Sequence, residues 1–475
     1  MKARINNDVN YIENSIARLD DLKKRLESDI RFDKYKIFIS VGYKSSRASV
    51  FSGFEESIEL AYQAACAKAL KHIKSIKSTP DWLKLDLVVS EQILTIEELN
   101  ELAQKTKRFH FGYGISFDSM YNFAFLEQEV NAAALIKYTE NEEYYPFENK
   151  KIDELVGEDW ADVSLREKCQ LSIGNIVLHL RQTRNQIIDA KILKIQNVII
   201  FKTVSVFSGE EIKGEDIASV NAEYLARNVQ DDGKFVYGYY SNFNRKIPGY
   251  NMNHHALGVY ALATAGSHNE QLKKALNFLL TDTTKNPAAI LAILKCAEIF
   301  DGNYDNALSS FANRILNVQN GEAVYALLKL YQFDGNEKWL NSAKKSLEFF
   351  VANDYWKSNN PWITHCAAEL EEYYMFGLRN AFYRLEQIES LELLCVTYNM
   401  MKGKEPIEGF DIERLKEAIE IRVQKQMKSL FTPETAMYFR SPETILGSVF
   451  VREQYFRVRI DDVAKNILAF NAYPF

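Results

Sequence analysis

Apolar residues recur along residues 8–30 at spacings of three and four (Val9, Ile12, Ile16, Leu19, Leu22, Leu26), with charges between them, so an amphipathic helix opens the chain. The rhythm then alternates between strand and helix. Residues 36–41 (KIFISV) and 82–90 (WLKLDLVVS) read as strands, the second with one buried face, and residues 55–76 read as a helix with an Ala-rich face. Residues 95–105 form a short helix opened by Thr95 and Glu97-Glu98, 108–116 a strand, and 119–138 a helix. Residues 140–160, rich in Glu, Asn and Lys and broken at Tyr144-Tyr145-Pro146, suit a connector, placed at about 141–165. Residues 173–181 fit strand or helix, and 191–207 are β-branched and strand-like. The pattern predicts an α+β (α/β) domain over 1–207.

From about Glu215 the strand rhythm stops. Helical patterns cover 217–229, 252–265, 268–281, 286–300, 303–318, 320–333, 337–353, 360–376, 380–402, 411–429, 442–454 and 460–472. Breakers such as Asp301-Gly302-Asn303, Asn320-Gly321 and Asp334-Gly335-Asn336 separate several of them. Strongly apolar helices (AAILAILKCA, 288–297) alternate with amphipathic ones (337–350). An (α/α) toroid has an inner ring buried all round and an outer ring buried on one face, and an α-solenoid gives a similar alternation. Residues 208–475 are therefore expected to form a mainly helical, toroid-like domain.

Composition narrows the partners. With 47% hydrophobic and 13% aromatic residues over 475 positions the chain is globular, and its length suits two domains. A formal charge of −6 gives no general attraction to nucleic acid. Five cysteines (Cys66, Cys169, Cys296, Cys366, Cys395) stand singly, which argues against a disulfide framework or a Cys-rich zinc site and suits a reducing compartment. No apolar run reaches membrane-spanning length, and the first 30 residues lack a signal-peptide core, so a cytoplasmic protein is expected. No Walker A or GxGxxG fingerprint calls for a nucleotide, and neither a cofactor nor a metal is expected.

The segment 224–266, YLARNVQDDGKFVYGYY and then YNMNHHALGVYALATAG, resembles the repeat unit of α/α-toroid proteins. Those include D-glucuronyl C5-epimerases, six-hairpin glycosidases, polysaccharide lyases and terpene cyclases. No Asp-Xaa-Asp-Asp acid motif is present, and Asp461-Asp462 is followed by Val463-Ala464-Lys465, which departs from a DDxxD pattern. The resemblance therefore implies carbohydrate chemistry, with a glycan or other small polar substrate in a ring mouth lined by Tyr, His, Arg, Trp and carboxylates.

Four clusters carry candidate chemistry. Tyr237, Tyr239 and Tyr240 beside Arg245 could supply a phenol base and a carboxylate clamp, or simply an aromatic wedge. His254 and His255 open a helix about 100° apart, so one could act as acid or base while the other packs. Trp362, His365 and Glu369 share one helical face, as sugar platform, imidazole and acid, or as a helix-stabilising set. Arg459 with Asp461 and Asp462 begins the last helix, where acids suit the dipole, and could close the ring against residues 231–260. The expected catalytic set is Tyr239, His254, His365, Glu369 and Asp461; the expected substrate contacts are Tyr237, Tyr240, Arg245, His255, Trp362, Arg459 and Asp462. Epimerisation, elimination and hydrolysis all fit, and a non-catalytic helical scaffold binding a protein or glycan is the alternative. If there is a site, it lies where residues 231–260 meet the helices starting near Pro361 and Ile460.

Overall fold

The computed structural model describes residues 2–26, 31–95, 98–99, 101–102, 111–121, 124–132, 169–172, 175–183, 186–193, 197–210 and 212–475. The connector expected at 141–165 lies outside them, as do most of the helix expected at 95–105, the start of the strand expected at 108–116 and the end of the helix expected at 119–138.

The first half contains α1 (Lys2–Arg25), β1 (Tyr35–Tyr43), β2 (Ser46–Glu55), α2 (Ile58–Ile76), β3 (Trp82–Thr95), β4 (Gly114–Ser116), β5 (Ala124–Phe125) and α3 (Glu127–Ala132). β6 (Cys169–Ser172), β7 (Asn175–Thr183), β8 (Gln186–Leu193) and β9 (Asn197–Phe207) follow. Six strands form one antiparallel sheet in the order β2-β1-β3-β9-β4-β5, and β6-β7-β8 form a separate three-stranded sheet. Residues 175–183 thus resolve as strand, and the expected 119–138 helix begins instead with the short β5 before α3.

The large sheet is covered on both faces. Ile37, Ile39, Val41, Leu83, Leu85 and Leu87 pack under α1 and α2, against Leu19, Leu22, Ala61, Ala65 and Ala69. Gly53 permits this close approach, because a Cβ there would sit 1.9 Å from the Ala61 carbonyl oxygen. The alternate residues Phe38, Trp82, Val88 and Phe201 belong to the core of the helical half. The single buried face expected for residues 82–90 is therefore two buried faces, and β1 and the first seven residues of β3 are buried at nearly every position, Lys84 and Asp86 included.

Between sheet and helices lies a buried ion pair. Lys84 Nζ donates to Asp86 Oδ1 at 2.7 Å, and both side chains are fully buried. Thr203 Oγ1 donates to the same oxygen at 3.2 Å, Glu434 lies 3.6 Å from Lys84, and the Ser40 and Tyr438 hydroxyls are 2.8 Å apart. Burial alone would push the Lys84 ammonium down, but Asp86, the Tyr438 phenol and Glu434 outweigh it and hold it charged.

The second half contains α4 (Ile217–Arg227), α5 (Met252–Ala265), α6 (Asn269–Leu279), α7 (Pro287–Ala297), α8 (Asp305–Ile315), α9 (Gly321–Asp334) and α10 (Glu337–Ala352). It continues with α11 (Pro361–Glu369), α12 (Tyr374–Phe382), α13 (Leu391–Met401), α14 (Ile412–Met427), α15 (Pro433–Ala436), α16 (Pro442–Ile445) and α17 (Ile460–Asn471). α5 packs on α7, α7 on α9, α9 on α11, α11 on α13, α13 on α17, and α17 back on α5. Each of these also packs on one amphipathic companion: α5 on α6, α7 on α8, α9 on α10, α11 on α12, α13 on α14 and α17 on α4. The patterns expected as single helices at 360–376 and 380–402 are each broken. The first stops at Glu369 before a 3-10 turn, and in the second Arg384 adopts φ +53° before Ser390 caps α13. Among the described residues no helix is long and apolar enough to cross a membrane.

His255 on α5 is a structural anchor. The Phe235 N–H donates to the Tyr250 hydroxyl at 3.0 Å, that hydroxyl donates to His255 Nδ1 at 2.7 Å, and Nε2 donates to the Ala275 carbonyl at 2.9 Å. The carbonyl can only accept, so the neutral Nε2–H tautomer is set. Burial depresses this imidazole to about 4.

Two stability outcomes are expected. Asp86→Ala leaves a buried ammonium without its hydrogen-bonded partner, with only the more distant Glu434 opposite, and should cost roughly 3–5 kcal/mol in urea denaturation, whereas the apolar double variant Lys84→Met/Asp86→Leu should recover most of it. Equal losses in both variants would show that the pair does not act as a unit. His255 binds its proton only when the chain unfolds, so its stabilising contribution is present above about pH 6.5 and is lost as pH falls toward 4, by up to about 3 kcal/mol. Denaturation at pH 7 and pH 4.5 should show a smaller pH-dependent loss for His255→Gln than for the parent chain; identical losses would contradict a neutral buried His255.

Candidate functional site

The central helices begin in the same way. Asn251, Asn286, Asn320, Asn360 and Ser390 stand at the starts of α5, α7, α9, α11 and α13, and each side-chain oxygen accepts a backbone N–H of the first turn. The residue two places beyond the cap is Asn253, Ala288, Glu322, Trp362 and Glu392 respectively. Four of those five, all but the alanine, line one cavity of about 670 Å³. α17 contributes Asp462, Lys465 and Asn466, and His254, Glu389, Gln426, Ser429 and Phe450 also stand in the wall. A cavity of this size suits a small ligand or a few sugar units.

Short strands bring the two ends of the helical half together. β10 (Gly238–Tyr240) pairs with β11 (Arg245–Lys246) on one side and β12 (Arg457–Arg459) on the other, and the Ile460 N–H donates to the Tyr237 carbonyl. Residues 231–260 therefore do meet the start of α17. Tyr237 and His254 share a hydrogen bond of 2.8 Å between the phenol and Nδ1, and Nδ1 lies 3.4 Å from Asp461 Oδ1. Asp461 is buried and takes two hydrogen bonds from Arg459, while Arg457 donates to Asp462 Oδ2 at 2.8 Å.

The electrostatics differ from one acid to the next. Burial pushes Asp461 up, but Arg459, His254 and Lys465 outweigh it and hold it below the usual carboxylate range. Asp462 is raised by burial and by Asp461 beside it. Glu322, with 8% of its surface exposed, is raised to about 6 by burial and by Glu392, against the pull of Asn253 and Lys465. Burial lowers His254, and Asp461 only partly restores it.

His254, Trp362 and Asp462 are thus in the cavity wall, with Tyr237, Asp461 and Arg459 directly behind them. His365 stands one layer back: its ring packs on Trp362 and Tyr325, and Nε2 meets Glu392 Oε1 at 2.9 Å. The other expected residues lie elsewhere. Glu369 turns to α9, where it accepts from Lys329 at 3.1 Å and Gln332 at 2.6 Å. His255 is fully buried with both ring nitrogens engaged, so it cannot reach the cavity. Tyr239 is 8% exposed beside the buried Tyr224, its phenol pushed up by burial. Tyr240 is half-buried in β10, and Arg245 is exposed on the edge strand β11. Strand pairing sends these three away from the cavity wall.

Glu322 and Glu392 were not singled out from sequence, because an acid in a first turn is ordinary dipole chemistry. The repeated signal was present, however: a capping Asn or Ser followed two residues later by Asn253, Glu322, Trp362 or Glu392.

No protein-family model matches the chain, and no curated protein does. Among solved structures it is similar to the GH76A alpha-1,6-mannanase from Salegentibacter sp. HEL1_6, at 12% identity over 55% of this chain and 98% of that chain, with a TM-score of 0.40. An inactive variant of that enzyme in complex with alpha-1,6-mannotetrose is similar at 11% identity over the same shares, with a TM-score of 0.41. A likeness of this size says nothing about which bond this chain would break.

Proposed function

We propose that the chain is a carbohydrate-active enzyme that hydrolyses a glycosidic bond in the cavity of its helical half. In this reading residues 208–475 form an (α/α) toroid of six hairpins, and residues 1–207 form the α+β domain that buttresses it. The observation that carries the proposal is the pairing of Glu322, raised to about 6, with Glu392 in one cavity beside the Trp362 platform. Glycoside hydrolysis needs one carboxyl group that keeps its proton and a second that does not, and enzymes obtain the difference by placing the two in unlike environments.

Glu322 is the proton donor to the leaving oxygen, kept protonated into the acidic-to-neutral range by burial. Glu392, oriented by His365, is the partner that faces the anomeric carbon, directly or through the attacking water. Trp362 stacks on a sugar face. His254, anchored through Nδ1 by Tyr237 and Asp461, presents its remaining nitrogen to a sugar hydroxyl. Proton abstraction by a phenol, as an epimerase or lyase would need, is less well supported: burial raises both Tyr237 and Tyr239, which makes each a poorer base at neutral pH.

Sugar release from a panel of oligosaccharides should detect activity, and Glu322→Gln should lower kcat by about 100- to 10,000-fold. The acid form of Glu322 is lost as pH rises through about 6, so kcat should fall on that side. Retention of activity and of the alkaline limb in Glu322→Gln would remove Glu322 from the role, and no cleavage of any glycan would sink the hydrolase proposal.

A further inference from the structure

We infer that the cavity is built for a glycan whose sugars carry hydroxyl groups and no carboxylate. This deepens the hydrolase reading and rests on it for the identity of the site.

The wall is rich in acceptors and poor in cations. Glu322, Glu389, Glu392 and Asp462 line it, and among the described residues Lys465 is its one Lys or Arg. Three of the four acids spend one oxygen on a partner outside the lining: Glu392 on His365, Glu389 on Lys425 at the exposed surface, and Asp462 on Arg457. Arg457 and Arg459, which lead into α17, are already committed, Arg457 to Asp462 and Arg459 to Asp461. The positive ends of the surrounding helices offer little to an anion either. Asn251 accepts the Asn253 and His254 N–H groups, Asn320 that of Glu322, Asn360 that of Trp362, and Ser390 that of Leu393.

Asn466 supplies the independent observation. It is 3% exposed, lines the cavity, and its Oδ1 is buried without a protein partner. Its orientation follows from its neighbours. Asn221 donates its amide to the Gly447 carbonyl at 2.6 Å, so Asn221 Oδ1 must accept; it accepts from Asn466 Nδ2 at 2.6 Å, which leaves Asn466 Oδ1 as the open acceptor. Asn253 repeats the arrangement, with its amide toward Glu322 at 3.5 Å and its Oδ1 unpartnered. Buried acceptors of this kind call for donors, and sugar hydroxyls supply them. A uronate would instead add a fifth carboxyl group to the four in the lining, opposed there by one lysine that sits 3.7 Å from Asp461.

The test uses full-length Glu322→Gln protein, with Glu392→Gln as a second variant should the first fail to fold. Calorimetric titration would compare length-matched tetrasaccharides: α- and β-linked neutral glucose and mannose oligomers against the corresponding oligoglucuronates. At least one neutral oligomer should bind, and each oligouronate should bind at least ten-fold more weakly than it. Equal or tighter uronate binding, or no binding by any neutral oligomer, would overturn the inference. Neutral binding without cleavage by the unaltered protein would leave it standing and remove the hydrolase reading, whereas cleavage of oligouronates would do the reverse.

Discussion

The constraint on which the helical half depends is that the first N–H groups of a helix have no partner within that helix. Four of the five capped central helices begin around one cavity, where a bare N-terminus would be costly to bury. Asn251, Asn286, Asn320, Asn360 and Ser390 meet that requirement from within the chain. Once the caps have taken the backbone donors, the next outward-facing position of each helix is released for chemistry. The cap also fixes the entry angle of the chain, so Asn253, Glu322, Trp362 and Glu392 occupy equivalent places around one wall.

The sixth central helix, α17, begins differently. Arg459 provides no side-chain cap, and its guanidinium instead holds Asp461, the second residue of the helix, while the β10–β12 pairing supplies the Tyr237 carbonyl to the first helical N–H. The acids then lie at the positive end of the helix, between two arginines and His254. This explains how Asp461 can be both buried and held below the usual range, while Asp462 next to it is raised. The sheet of the first half is tied to the same body through Lys84, Asp86 and Tyr438, with its strands buried on both faces.

What the chain determines locally is its elements. Spacings of three and four place α5 at Met252–Ala265, α9 at Gly321–Asp334 and α17 at Ile460–Asn471 close to where the apolar pattern puts them, because a helix that buries a stripe must repeat it. The breaks at Leu370 and Arg384 escaped that pattern, since apolar residues continue across them and only the Ser390 cap and the backbone geometry mark the restart. Strand alternation likewise could not show that β3 is covered on both faces, which depends on a partner more than 200 residues away in Tyr438.

Side-chain destination was decided by tertiary structure. His254 and His255 are neighbours in sequence, yet the 100° between them sends one to the cavity wall and the other to Tyr250 and Ala275. Glu369 shares a helical face with Trp362 and His365, but Lys329 and Gln332 on the adjoining helix draw it elsewhere. Glu322 and Glu392 lie 70 residues apart and look like ordinary first-turn acids; their proximity and the raised Glu322 arise only when separate helices start around one space. Periodicity is a property of a few neighbouring residues and is written in the chain. Burial and the field at a carboxylate are sums over residues brought together by packing, and for those the fold itself was required.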